Sequence, residues 1–502
     1  METLLTDDIL DYLTEIGDPL VDPKVKARSK RKASKEQLLR DLNEARNKGL
    51  SSLKGDWLTK NATSFGVDRL LENPGTLPDP DLVKTACDLF ARYGSEIAAA
   101  LLLAALPEAY AAGEGAKVLI DRSQLAKGGT VSTRRILATA QFVIWVLTPD
   151  TSGGPVSGDM KEYTYQSFDD TLRLWGPGKD RGQALRASLA LRIMHSLIRT
   201  SRPDAPRGLQ LADDDGVPLY QIDDPDDVPL NQTDLLATLL SFSITVFEVL
   251  EKFGIYWTAE EQEAFFYVWD HVGNTLGIGD TDVVLKLTGT ESLEDLKKTL
   301  RAFDEGDDPP AGGCSLSPTD TEKLFKGRLN RRVLRRVADV GNLRPQSVPE
   351  ARALLARLRE RMWTLEKDSF PEREPFPYEN FNKILDDVSS GRILLKAMVD
   401  QVATYLPPSQ KTWPIAVIRQ LVPPEVQNRL ALGGTSSIGF LGGVLGTPRD
   451  SPGSVVLRRL TAEVLRQRAT RVANALFLHY YDEGLLQIPG LLSTAVRSGV
   501  LT

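Results

Sequence analysis

Three apolar runs constrain this chain more than any other feature: IAAALLLAAL (97–106), ILATAQFVIWVL (136–147) and LLATLLSFSITVFEVL (235–250). Each is shorter than the roughly 20 apolar residues that cross a bilayer. Each reads instead as a helix buried on nearly every side. Elsewhere apolar residues recur at three- and four-residue intervals, while the alternating runs of β-strands are scarce. The expectation is an all-α chain forming one large helical bundle. At 502 residues it has room for a large domain with additions.

Proline, glycine and charge divide the chain. Residues 1–60 form a charged helical leader, in which KVKARSKRK (24–32) reads as a solvated face. The break NPGTLPDPD (73–81) offers Asp79 or Asp81 as the cap of the next helix. A flexible piece (148–159) and a long acidic, proline-rich connection (201–234) separate helices, with NQTD (231–234) placing Asn231 as a cap and Asp234 at the third helical position. The main domain spans 61–435, with an insertion at about 281–345. Residues 436–502 hold the glycine-rich GFLGGVLG and strongly amphipathic C-terminal helices, expected to dock back on the bundle, with contact to a membrane surface as an alternative.

The net charge of −7 argues against a nucleic-acid partner. Two cysteines, Cys87 and Cys314, supply neither a disulfide framework nor a cysteine zinc site. The N-terminus lacks the basic start and apolar core of a secretory signal, so no transmembrane segment and a cytoplasmic location are expected. There is no HExxH, P-loop, GxSxG or dinucleotide fingerprint. The acidic clusters lack the ligand spacing of a calcium loop. Only three histidines exist, His195, His271 and His479, which disfavours multi-histidine metal sites. Haem is the common cofactor that needs one protein imidazole and leaves the opposite axial position free.

Five stretches, in order, then carry a resemblance. They are LPEAYAAGEGAKVL (106–119), RRILATAQFVIWVL (134–147), LRIMHSLIR (191–199), the long block opening LNQTD and closing HVGNTLGI (230–278), and IRQLVPPEVQNRLALG (418–433). Together they resemble the latex-clearing-protein and mpaB-type oxygenases, helical proteins that bind haem b. The resemblance implies a buried haem pocket with His195 as the iron ligand. Arg192 and Arg199, one turn either side of it, would then pair with the haem propionates. Arg135 and Thr139, four residues apart on one helix face, would stand on the distal side, orienting dioxygen and stabilising developing negative charge. The rubber-cleaving branch of the family is secreted and carries a lysine where this chain has Ala138, so a lysine-ligated closed state is not expected here. Neither Glu114 nor Asp121 is singled out by spacing as a catalytic base.

The function implied is a haem-dependent oxidoreductase, a dioxygenase that adds dioxygen to the double bond of an apolar, isoprenoid-like small molecule or polymer and cleaves it. Peroxidase-like or hydroxylating activity on the same scaffold, a haem sensor without turnover, and a cofactor-free helical interaction protein remain as alternatives. Neither the natural substrate nor the oligomeric state is legible.

Overall fold

The computed structural model describes residues 5–29, 56–72, 77–111, 129–148, 171, 174–176, 182–200, 228, 230–305, 324–325, 327–367, 390–430, 432 and 452–482. Glu114, Asp121, the glycine-rich stretch 439–446, most of the 201–234 connection and the side chain of Arg135 lie outside the described residues.

All regular structure among the described residues is helical. The chain opens with α1 (Asp7–Thr14), α2 (Asp22–Ser29), α3 (Asp56–Phe65) and α4 (Asp68–Glu72). The long α5 (Pro80–Ala100) continues through a π-helical turn (Leu101–Ala105) into α6 (Leu106–Ala111). The centre is completed by α7 (Gly129–Leu147), α8 (Gln183–Thr200), α9 (Gln232–Lys252) and α10 (Ala259–Thr275). A side group follows, α11 (Thr281–Thr288), α12 (Leu293–Glu305) and α13 (Arg328–Val340). The remainder is α14 (Val348–Lys367), α15 (Ser390–Thr404), α16 (Trp413–Leu421), α17 (Pro424–Arg429) and α18 (Pro452–Asp482).

The central helices begin where the sequence provides caps. Asp79 accepts from the backbone N–H groups of Asp81 (2.9 Å) and Leu82 (3.4 Å), with Pro80 at the first helical position of α5. Asn231 accepts from Asp234 N at 2.9 Å, so NQTD is a helix start, as its composition suggests. Thr258 and Glu261 close a reciprocal capping box at the start of α10.

α5 and α10 pack along each other, and α9 crosses the π turn, α10 and α14. α8 lies against α7, α2 and α10. The C-terminal α18 docks on α5, burying Leu465, Ala469, Val472, Ala473 and Leu476. Docking was the expected fate of this helix.

Two findings extend the sequence reading. The apolar runs belong to longer helices, and Pro80–Ala111 and Gln232–Lys252 are long and apolar enough to cross a membrane by length and composition. Within the bundle, 61% and 67% of their most apolar windows are buried, as core helices require. The described part of the leader, in turn, packs into the bundle. Ile9, Leu10, Leu13, Val21 and Val25 all enter the common core.

Residues 281–345 leave and rejoin the bundle at one place. Leu343 N donates to Gly279 O at 2.7 Å, and Thr281 Oγ1 donates to Gly341 O at 2.8 Å. Arg344 then locks the exit onto Asp270 (2.6 Å) and the carbonyl of Ile278 (2.8 Å).

Candidate functional site

His195 sits in the middle of α8, half-buried, between the buried Met194 and Leu197. The flanking arginines do share a side of the helix, as their spacing requires, but they meet the N-terminal segment. Arg192 is 2% exposed and donates through Nε to Asp18 Oδ2 (2.6 Å) and through Nη2 to Asp18 Oδ1 (3.0 Å). It also reaches Asp280 Oδ2 (3.3 Å) and the carbonyl of Thr275 (3.4 Å). Arg199 forks onto Asp22, with Nε and Nη2 at 2.9–3.1 Å from its carboxylate, and donates to Leu230 O at 3.0 Å. Both of the guanidinium groups expected to meet propionates face protein carboxylates, Asp18 and Asp22, and these pairs tie α8 to the N-terminal segment.

The anchor is built tightly. Burial alone would push the Asp18 carboxyl up, but the adjacent Arg192 guanidinium outweighs it and holds the group below the usual carboxylate range. Backbone N–H groups of Leu20 and Val21 add donors at 3.0 and 3.1 Å. Gly277 has φ +74°, and a Cβ there would meet the Arg192 guanidinium at 2.4 Å. The GNTLGIGD stretch thus owes this glycine to a left-handed backbone and a close approach. Gln232 closes the same knot, donating to Gly17 O (2.6 Å) and Gly277 O (3.1 Å) and accepting from Gly279 N (2.8 Å).

Thr139 lies on α7, the helix packed against α8. It borders an apolar cleft of about 60 Å³ between α5, the π turn, α7, α9 and α18. Phe90, Leu102, Ile136, Val143, Phe242 and Phe477 supply much of its wall. His195 is not among the lining residues. This volume is well below the ~300–1,000 Å³ of a site that encloses a whole drug-sized ligand, so the cleft suits part of a slender molecule. The π turn widens α5 where Leu101 and Leu102 meet the cleft, a placement π-bulges often take at functional sites.

One polar network went unread in the sequence. Glu108, in LPEAY, is 2% exposed and accepts from Thr245 Oγ1 at 2.7 Å. Arg359 of α14 pairs with it through Nε and Nη2, and with Glu248 at 2.9 Å. The acid of LPEAY therefore holds the end of the π turn to α9 and α14. An acid in an otherwise apolar helix was the available signal; its partner, 251 positions away, was not.

The other imidazoles have different surroundings. His271 meets Trp175 edge-on at a centroid distance of 4.5 Å. Burial pushes its pKa down to about 4, with Asp270 opposing the shift and Arg344 adding to it. His479 is exposed and lies beside Tyr405.

An all-helical bundle that carries the His195 imidazole on an inner helix, beside a helix bordering an apolar cleft, defines a class of scaffold suited to apolar ligands. Within that class, residues 93–470 match the family described as ER-bound oxygenase mpaB/B'/Rubber oxygenase, catalytic domain, and the chain belongs to this family. No curated protein and no solved structure matches the chain. The one donor that haem asks of the protein, an imidazole on an apolar helix, is available in His195 of α8.

Proposed function

We propose that this member of the oxygenase family is a haem b-dependent enzyme that adds dioxygen across the double bond of an apolar, isoprenoid-like substrate and cleaves it. The observation that carries the reading is Thr139. Within the oxygenase domain, it puts a hydroxyl-bearing residue in the wall of an apolar cleft, on the helix packed against that of His195.

Haem, when bound, supplies activation of dioxygen, and His195 is the residue that would hold its iron. The chain does the rest. Asp18 and Asp22 fix α8 through Arg192 and Arg199, so the imidazole is carried on a helix that cannot roll without breaking buried pairs. The apolar wall excludes water and takes the hydrocarbon portion of the substrate. Thr139, with Arg135 one turn before it, would stabilise negative charge as it develops on oxygen. Cleavage breaks the carbon–carbon double bond and places one oxygen atom on each carbon, giving two carbonyls. No external reductant is needed.

The test is oxygen uptake by haem-supplemented protein with polyprenyl alkenes, with product masses under labelled dioxygen. The expected products are paired carbonyl fragments, each bearing one labelled oxygen. Hydroxylated, uncleaved products, or haem binding without oxygen uptake, would overturn the cleavage reading. Thr139→Val keeps the shape and removes the hydroxyl. It should lower turnover by about 10²–10³-fold while haem content persists. Unchanged turnover would remove Thr139 from the chemistry.

A further inference from the structure

The last helix brings an amide to the cleft that an apolar pocket alone does not require. Asn474 of α18 is 1% exposed and lines the cleft, and neither its Oδ1 nor its Nδ2 has a hydrogen-bond partner among the described residues. Ser95 on α5 lines the same cleft, and its buried Oγ likewise has no partner among the described residues. Leaving a buried polar group without a hydrogen-bond partner is costly to the fold. The neighbouring buried positions of α18 are Val472, Ala473 and Leu476, so a leucine at 474 would suit the helix better than an asparagine does.

We propose that Asn474, assisted by Ser95, is the polar anchor of this cleft and selects an apolar chain bearing a neutral hydroxyl over a pure hydrocarbon. The chemistry favours an alcohol. An amide both donates and accepts, and a hydroxyl is the smallest group that answers both. A carbonyl would leave Oδ1 unpaired. A carboxylate would be desolvated, and none of the described residues lining the cleft is a lysine, arginine or histidine that could meet it. Asn474 and Phe477 lie beyond the family match, which ends at residue 470, so this part of the wall comes from outside the matched domain.

The inference rests on the cleft being the substrate site, but its test is binding and does not depend on turnover. Calorimetry on the full chain would compare a ten-carbon terminal alkenol, the alkene of the same length and the matching alkenoate. The wild type should bind the alkenol about 10-fold more tightly than the alkene, with the alkenoate weakest. Asn474→Leu should erase that preference by weakening alkenol binding, leave alkene binding equal or better, and melt at or above the wild-type temperature. Ser95→Ala should reduce the preference by a smaller factor. Equal binding of alkenol and alkene by the wild type would overturn the anchor. So would a preference that survives Asn474→Leu, which would mean that the amide holds only solvent. If Asn474→Leu melts lower, Ser95→Ala decides, and an unreduced preference there counts against the proposal. A preserved alcohol preference in a protein without oxygen uptake would refute the oxygenase reading and leave the anchor standing.

Discussion

Arg192 illustrates what a residue's spacing can and cannot disclose. Its relation to Arg199 is local, seven positions on one helix, and the shared side was readable. Its partner Asp18 lies 174 positions away, and no periodicity encodes such a pairing. Breaking the pair leaves a buried, uncompensated charge, so Asp18→Asn should destabilise the protein by about 3–5 kcal/mol in denaturant titration. The sign with pH follows from the lowered pKa of Asp18. Its stabilisation is present above the unfolded value of about 3.9 and disappears as pH falls towards the native one. His271 acts at higher pH. Its native pKa of about 4 lies below the unfolded value of about 6.5, so the unfolded chain takes up a proton first. Stability should therefore fall as pH drops from about 6.5 to 4. Melting temperatures across that window should show a shallower decline in His271→Gln than in the wild type.

At the scale of elements, the helices were legible because their signals are local: caps at Asp79, Asn231 and Thr258, and apolar faces at helical spacing. The role of the leader was not. It read as a charged helical segment with a solvated face at 24–32, whereas its buried Asp18 and largely buried Asp22 are the counter-charges of α8. Deleting residues 1–29 should therefore lower the melting temperature and weaken haem retention, although the deletion includes no proposed ligand. A truncated protein with unchanged melting and haem content would show that α8 needs no such clamp. The Glu108–Arg359 pair makes a parallel case at the π turn. Arg359→Met strands a buried carboxylate and should cost about 3–5 kcal/mol by the same measurement.

The whole molecule is a bundle in which the α8 helix is fixed from the N-terminal side and the apolar cleft is walled in part from the C-terminal side. The all-α class and the family were legible because the described parts of the five motif blocks lie mostly on helices that pack into one core. The cleft was not, since its wall draws on α5, α7, α9 and α18, which only the tertiary fold brings together. The central claim is that His195 on α8 is the single protein ligand of a haem. It is tested most directly by titrating haem into the wild type, His195→Ala, His271→Ala and His479→Ala and following the Soret band, with melting curves confirming that each is folded. The account predicts one haem per chain in all but folded His195→Ala, which should lose stoichiometric binding. Full haem content with an unchanged axial-ligand spectrum in His195→Ala would contradict it.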